Sequence, residues 1–121
     1  MRNGTNVIGE PGNVLMRREL VERAGAFDAT YGYMIDLDYW FRLLRTGDAY
    51  YLPQTLSSFR ISKGSWSVAI GARQYQEFRG FARKYAAMPE YGIGRAKLAR
   101  GALMAWVNAR ARQWIYRWLL R

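Results

Sequence analysis

The stretch Tyr33-Met34-Ile35-Asp36-Leu37-Asp38-Tyr39-Trp40-Phe41-Arg42-Leu43-Leu44 decides how the rest of the chain is read, because two acids open a run that is otherwise largely apolar. As a helix from about Asp36 to Thr46, it places Asp36 and Asp38 in the first turn. There the unsatisfied backbone N–H groups and the positive end of the dipole favour a carboxylate. Leu37, Trp40, Phe41 and Leu44 recur at i, i+3, i+4 and i+7 and make one buried face. Gly47 is placed to stop the helix. On this chemistry alone Asp36 is a helix cap with Asp38 beside it.

Outward from that helix the elements are short. Residues 3–13 carry three glycines and Pro11 and predict an irregular loop; Val14-Leu15-Met16 is a strand only if a sheet receives it. Residues 17–24 predict a helix closed by Gly25. Downstream, residues 49–52 and 55–61 read as two strands separated by Pro53, followed by a turn over residues 62–65. Ser65 or Ser67 caps a long helix reaching about Ala87, with Ile70, Tyr75, Phe78, Phe81, Ala82 and Tyr85 along one side. Pro89, Gly92 and Gly94 break it.

A last helix, Arg95 to Arg121, carries Met104, Val107, Ala111, Trp114, Ile115, Trp118 and Leu119 as an apolar stripe, with Trp106 and Leu120 off it. Arg110, Gln113, Arg117 and Arg121 line another face. The arginines interrupt any transmembrane span. Such a helix fits the surface of an anionic bilayer, and it fits packing on its own domain or a partner equally well. Residues 1–88 and this basic segment, 89–121, are the two units expected.

The 121 residues suit a single domain, and half of them are apolar. Without cysteine or histidine, thiolate and imidazole metal sites, a cysteine nucleophile and a histidine base are all excluded, so chemistry would rest on carboxylates, Tyr, Lys or Arg. The net charge is +10, yet every acid lies at or before Glu90, and seven basic residues follow it unopposed. That asymmetry points to an anionic partner for the tail. No signal peptide is visible near Met1, and a cytoplasmic protein, peripheral on the inner face of the membrane, is expected.

Taken together, Ile8-Gly9-Glu10-Pro11, Val14-Leu15-Met16-Arg17-Arg18, Gly25-Ala26-Phe27-Asp28, the Asp36 to Leu43 run, and Phe59-Arg60-Ile61-Ser62 with Ser65-Trp66-Ser67 resemble the C-terminal, acceptor-side half of a family 2 glycosyltransferase. The resemblance covers about half of the chain in register. It implies an α/β fragment: the C-terminal half of a GT-A, Rossmann-like domain with short strands, a central helix and two long C-terminal helices. It implies that Asp36 is the general base of an inverting transfer from a nucleotide-sugar to a glycan or lipid-linked acceptor, in cell-surface polysaccharide synthesis. Glu10, Asn13, Asp38, Trp40, Arg60 and Ser62 are implied as substrate-binding residues, and Arg42 as an anchor of the helix. Ser62 stands where many relatives have a metal-ligating histidine. A divalent metal, Mg or Mn, is expected for the complete enzyme, with ligands in a nucleotide-binding half that this chain lacks, so the chain by itself is not expected to catalyse transfer. The alternative expectation is a small non-enzymatic basic protein whose tail binds anionic membrane or, less favoured, nucleic acid.

Overall fold

The computed structural model describes residues 1–58, 60, 62, 70 and 73–119. Its helices are α1 (Arg18–Ala24), α2 (Ile35–Leu43), α3 (Arg73–Ala86) and α4 (Arg95–Leu119), with 3₁₀ turns at Pro11–Asn13 and Pro89–Tyr91. Among the described residues there is no strand, which overturns the expected α/β architecture. The physical reason is that a strand needs a neighbour for its backbone hydrogen bonds. The segments 14–16, 49–52 and 55–58 lack one among these residues, and Leu15, Tyr50, Tyr51 and Leu56 are left exposed. Phe59, Ile61, the expected turn beyond Ser62, and the candidate caps Ser65 and Ser67 lie outside the described residues.

The helices follow the sequence more closely. Gly25 closes α1 with φ +75, a backbone conformation that costs glycine little. α2 is shorter than expected: it ends at Leu43, and the Thr46 hydroxyl donates to the Leu43 carbonyl at 2.7 Å as the chain turns away. Gly47 therefore is not its cap. Its smallness matters instead, because a β-carbon there would stand 3.0 Å from Leu20 Cδ1 of α1. Met34 occupies the N-cap position of α2 and offers no acceptor. Glu77 of α3 supplies one, taking the Tyr33 N–H at 2.6 Å and the Met34 N–H at 3.2 Å.

The core lies between α2 and α3 and extends to α4. Leu37 and Trp40 are buried as the periodicity predicts, joined by Met34 and Tyr39. Phe78, Phe81, Ala82 and Tyr85 of α3 face them. Phe41 sits amid Phe81, Tyr85 and Tyr91, with ring centroids 4.8–5.5 Å away, in the tilted, edge and offset geometries that aromatic quadrupoles favour.

Inside this apolar region the Asp38 carboxylate is fully enclosed. Arg42 Nε donates to its Oδ2 at 2.9 Å; Lys84 Nζ and the Tyr85 hydroxyl donate to its Oδ1 at 2.9 and 2.8 Å. Burial pushes the carboxyl pKa up, but these three donors outweigh it and hold the group below the ordinary aspartate value. Arg42 also donates to the carbonyls of Ala24 and Ala26, fastening the end of α1 to α2.

α4 packs mainly on α3. Gly101, Ala105, Asn108 and Arg112, spaced 4, 3 and 4 residues apart, share one face, and the N-terminal segment runs along it. A β-carbon at Gly4 would stand 2.2 Å from the Ala105 nitrogen, and one at Gly101 would stand 2.8 Å from the Met1 carbonyl oxygen, so both must be glycine. Asn108 Nδ2 donates to the Asn3 carbonyl at 2.9 Å. The opposite face of α4 is bare, which changes the expected division of the helix: Arg110 and Arg117 share that face with Leu103, Trp106 and Trp114 instead of lining a separate one.

Asp38→Ala removes the acceptor that three donors share. It is expected to cost about 3 kcal/mol, seen as a fall of about 10 °C in the thermal midpoint at pH 7. Because the folded pKa of Asp38 is depressed, its contribution is present above the unfolded value near 3.8 and is lost as pH falls through the folded one. The gap between wild type and variant should therefore close in acid, as melts at pH 7 and pH 2 would show.

Candidate functional site

Successive side chains two apart on a helix point about 200° away from each other. With Asp38 turned into the core toward α3, Asp36 is turned out toward the N-terminal loop, where it is half-buried. The loop is shaped to meet it. Asn6 Oδ1 accepts the backbone N–H groups of Ile8 at 3.0 Å and Gly9 at 3.2 Å, an Asx turn, while its Nδ2 donates to the Gly9 carbonyl at 2.9 Å. Gly9 has φ +108, which favours glycine there. Trp40 Nε1 donates to the same Gly9 carbonyl at 3.1 Å, pinning the loop to α2.

Asp36 receives hydrogen bonds from the Asn6 side chain and from its own backbone N–H, both of which favour the carboxylate. Burial is the larger influence and raises its pKa above the ordinary value. Burial thus outweighs the hydrogen bonds that favour the carboxylate in setting the direction of the shift. Among the described residues Asp36 is in no salt bridge. Glu10 lies near enough for the two charges to interact. Burial raises its pKa, the Asp36 charge raises it further, and Arg112 opposes both.

Arg112 reaches this region from α4. It donates to the Tyr33 hydroxyl just before α2 and to Thr5 Oγ1 at 3.4 Å. Behind it is a cavity of about 10 Å³, room for one water molecule, lined in part by Gly4, Thr5, Tyr33, Gln74 and Arg112. The assembled site is therefore two neighbouring carboxylates of elevated pKa with an amide on one and a guanidinium nearby. Such a pair can accept a proton from a bound hydroxyl and hydrogen-bond a second polar group beside it.

Of the residues expected to bind substrate, Glu10 is exposed and near enough to Asp36 for its charge to be felt. Asn13 is exposed at the end of the first 3₁₀ turn, with its side chain against Gly9. Asp38 and Trp40 are corrections: at 0% and 1% exposure neither is presented to a ligand. Asp38 is consumed by Arg42, Lys84 and Tyr85, and Trp40 by the core and the Gly9 carbonyl. Arg60 and Ser62 are exposed and outside any helix. Among the described residues no group of three or more acidic side chains is arranged to hold a metal, and Glu10 with Asp36, facing a guanidinium, does not fit a divalent cation.

Asn6 and Arg112 were not anticipated. The Asn6-x-x-Gly9 spacing is a readable Asx-turn signal. Arg112 was readable only as one of several tail cations, although its register with Gly101 and Ala105 places it on the close-approach face of α4.

The comparisons with known proteins add little to this geometry. No family model matches the chain, and no solved structure matches it. It is 38% identical over 52 residues to a Mycobacterium tuberculosis (strain CDC 1551 / Oshkosh) protein described as "Uncharacterized protein MT1568". The match covers 43% of this chain and 16% of that protein, so the chain spans a small part of its relative.

A raised pKa at Asp36 means that the folded state loses stability as pH rises through it, while the full contribution is present below the unfolded value of 3.8. Asp36→Asn, which removes the charge and keeps an acceptor for Asn6, is therefore expected to raise the thermal midpoint at pH 7 and leave it nearly unchanged at pH 3. A variant less stable than wild type at pH 7 would contradict the burial assignment.

Proposed function

We propose that this chain is the acceptor-binding, base-bearing part of an inverting glycosyltransferase. Its substrate class is a nucleotide-sugar donor with a glycan or lipid-linked acceptor, in the making of cell-surface polysaccharide. The observation that carries this reading is Asp36: a half-buried carboxylate, oriented by Asn6, made more basic by burial and engaged in no salt bridge among the described residues. Structural acids are ordinarily paired, as Asp38 is in the same helix. The contrast between the two supports Asp36 as the base.

In the proposed reaction the acceptor hydroxyl oxygen forms a bond to the anomeric carbon as the bond from that carbon to the diphosphate oxygen breaks. The nucleoside diphosphate leaves with the bonding electron pair. Asp36 takes the hydroxyl proton, and Glu10 holds a neighbouring acceptor hydroxyl. Arg60 is assigned to the departing diphosphate as a cation, and Ser62 to substrate binding. A nucleotide-binding half, with the Mg or Mn that neutralises the diphosphate, is assigned to polypeptide outside this chain. No helix among the described residues is long and apolar enough to cross a membrane. The place of action proposed is the inner face of the cytoplasmic membrane, in peripheral contact. The second reading, a basic non-enzymatic protein binding an anionic membrane, is supported by the bare outer face of α4 and makes no use of Asp36.

In a polypeptide joining this chain to a nucleotide-binding half, Asp36→Asn is expected to lower transfer about 10²- to 10⁴-fold with nucleotide-sugar affinity unchanged by calorimetry. Undiminished turnover would reject Asp36 as the base.

A further inference from the structure

α4 has two faces with opposite surroundings. Its inner face, through Gly101, Ala105, Asn108 and Arg112, is occupied by the N-terminal segment. The face about 180° away carries Leu103, Trp106, Val107, Trp114 and Trp118, with Trp114 at 71%, Trp118 at 68% and Leu103 at 60% exposure. Bulky apolar side chains in a row on a helix, each open to solvent, need a covering surface. The same face carries Arg100, Arg110 and Arg117, all exposed. No acid lies anywhere on α4, since the last acid of the chain is Glu90.

We propose that this outer face of α4 lies flat on an anionic lipid bilayer, its tryptophans at headgroup level and its arginines on lipid phosphates. A helix of 25 residues is about 37 Å long and presents a straight row parallel to such a surface. Tryptophan rings are amphipathic and settle at the water–hydrocarbon boundary, and arginine between them reaches anionic headgroups. Arg110 already lies over the Trp106 ring at 5.6 Å, an arrangement that carries a cation alongside an inserted ring.

Other occupants fit less well. A second copy seated on this face would bring the arginines of both chains together with no acid between them. A nucleic acid would satisfy the arginines and stack the tryptophans, but it offers no hydrocarbon for Leu103 and Val107. The inference rests on the transfer reading only for the side of the membrane concerned; the contact itself stands on α4 alone.

Vesicles of phosphatidylglycerol and phosphatidylcholine, and vesicles of phosphatidylcholine alone, are sedimented with the intact chain. Binding to the anionic vesicles, blue-shifted tryptophan emission on binding, and at least tenfold weaker association with the neutral vesicles are expected. Arg110→Gln and Arg117→Gln should each weaken the anionic binding about fivefold, and Trp114→Ala with Trp118→Ala should weaken it at least tenfold. These positions are exposed, so far-UV circular dichroism should be unchanged. Asp36→Asn should bind vesicles as wild type does, so loss of vesicle binding by this variant counts against this proposal, whereas undiminished transfer counts against the base. Equal binding by all variants would overturn the proposal. So would variants that lose affinity for single-stranded DNA but not for vesicles, or a dimer in sedimentation that is abolished by the tryptophan substitutions.

Discussion

A single buried charge holds the helices of this protein in register. The Asp38 carboxylate is closed off from water and would be costly there but for three donors from two helices, Arg42 of α2 with Lys84 and Tyr85 of α3. Such a group admits little freedom, because sliding α3 along α2 would leave a charge unpaired in an apolar core. Arg42 extends the constraint to the end of α1 through the Ala24 and Ala26 carbonyls, and Lys84 extends it to Asp28 at 3.7 Å. In the other direction, Glu77 of α3 receives the N–H groups that open α2. The two helices thus exchange carboxylates: each supplies an anion to the other.

Asp36 gets its position from the same constraint. Turning Asp38 inward turns Asp36 outward, against a loop that Asn6 and Trp40 hold in shape. The loop is held from behind by α4, whose inner face accepts the N-terminal backbone so closely that glycine is needed on both sides of the contact. One helix consequently serves two surroundings: Arg112 on one face reaches Tyr33 and Thr5 and acts on the Glu10 charge, and the tryptophans and arginines on the other stand in solvent. If the outer face rests on lipid, the candidate site is carried on the far side of the helix that makes the contact.

Local patterns in the sequence made the helices legible. The apolar spacing of Leu37 and Trp40, the Phe78, Phe81, Ala82 and Tyr85 side of α3, and the glycine closing α1 all depend on neighbours within two turns. The strand expectations fared differently. Apolar and aromatic residues at 14–16, 49–52 and 55–58 suit an extended segment, and such a segment becomes a strand only when another presents its hydrogen-bonding groups. The site was half legible: Asp36 and Glu10 stand out as acids in recognisable surroundings, whereas Asp38 looked like a second site acid until its donors were known.

The sequence by itself determined which segments are helical, where charge accumulates, and that no thiol or imidazole chemistry is available, because each of these follows from residue type or short-range periodicity. Only the tertiary structure decided which of two acids in one turn is buried and paired and which is half-buried with no salt bridge among the described residues. It also decided which face of the last helix is bare. Both depend on donors and backbone brought from far along the chain, Lys84 and Tyr85 to Asp38, Asn6 to Asp36, and the N-terminal segment to Gly101 and Ala105. No pattern within α2 or α4 encodes those distances.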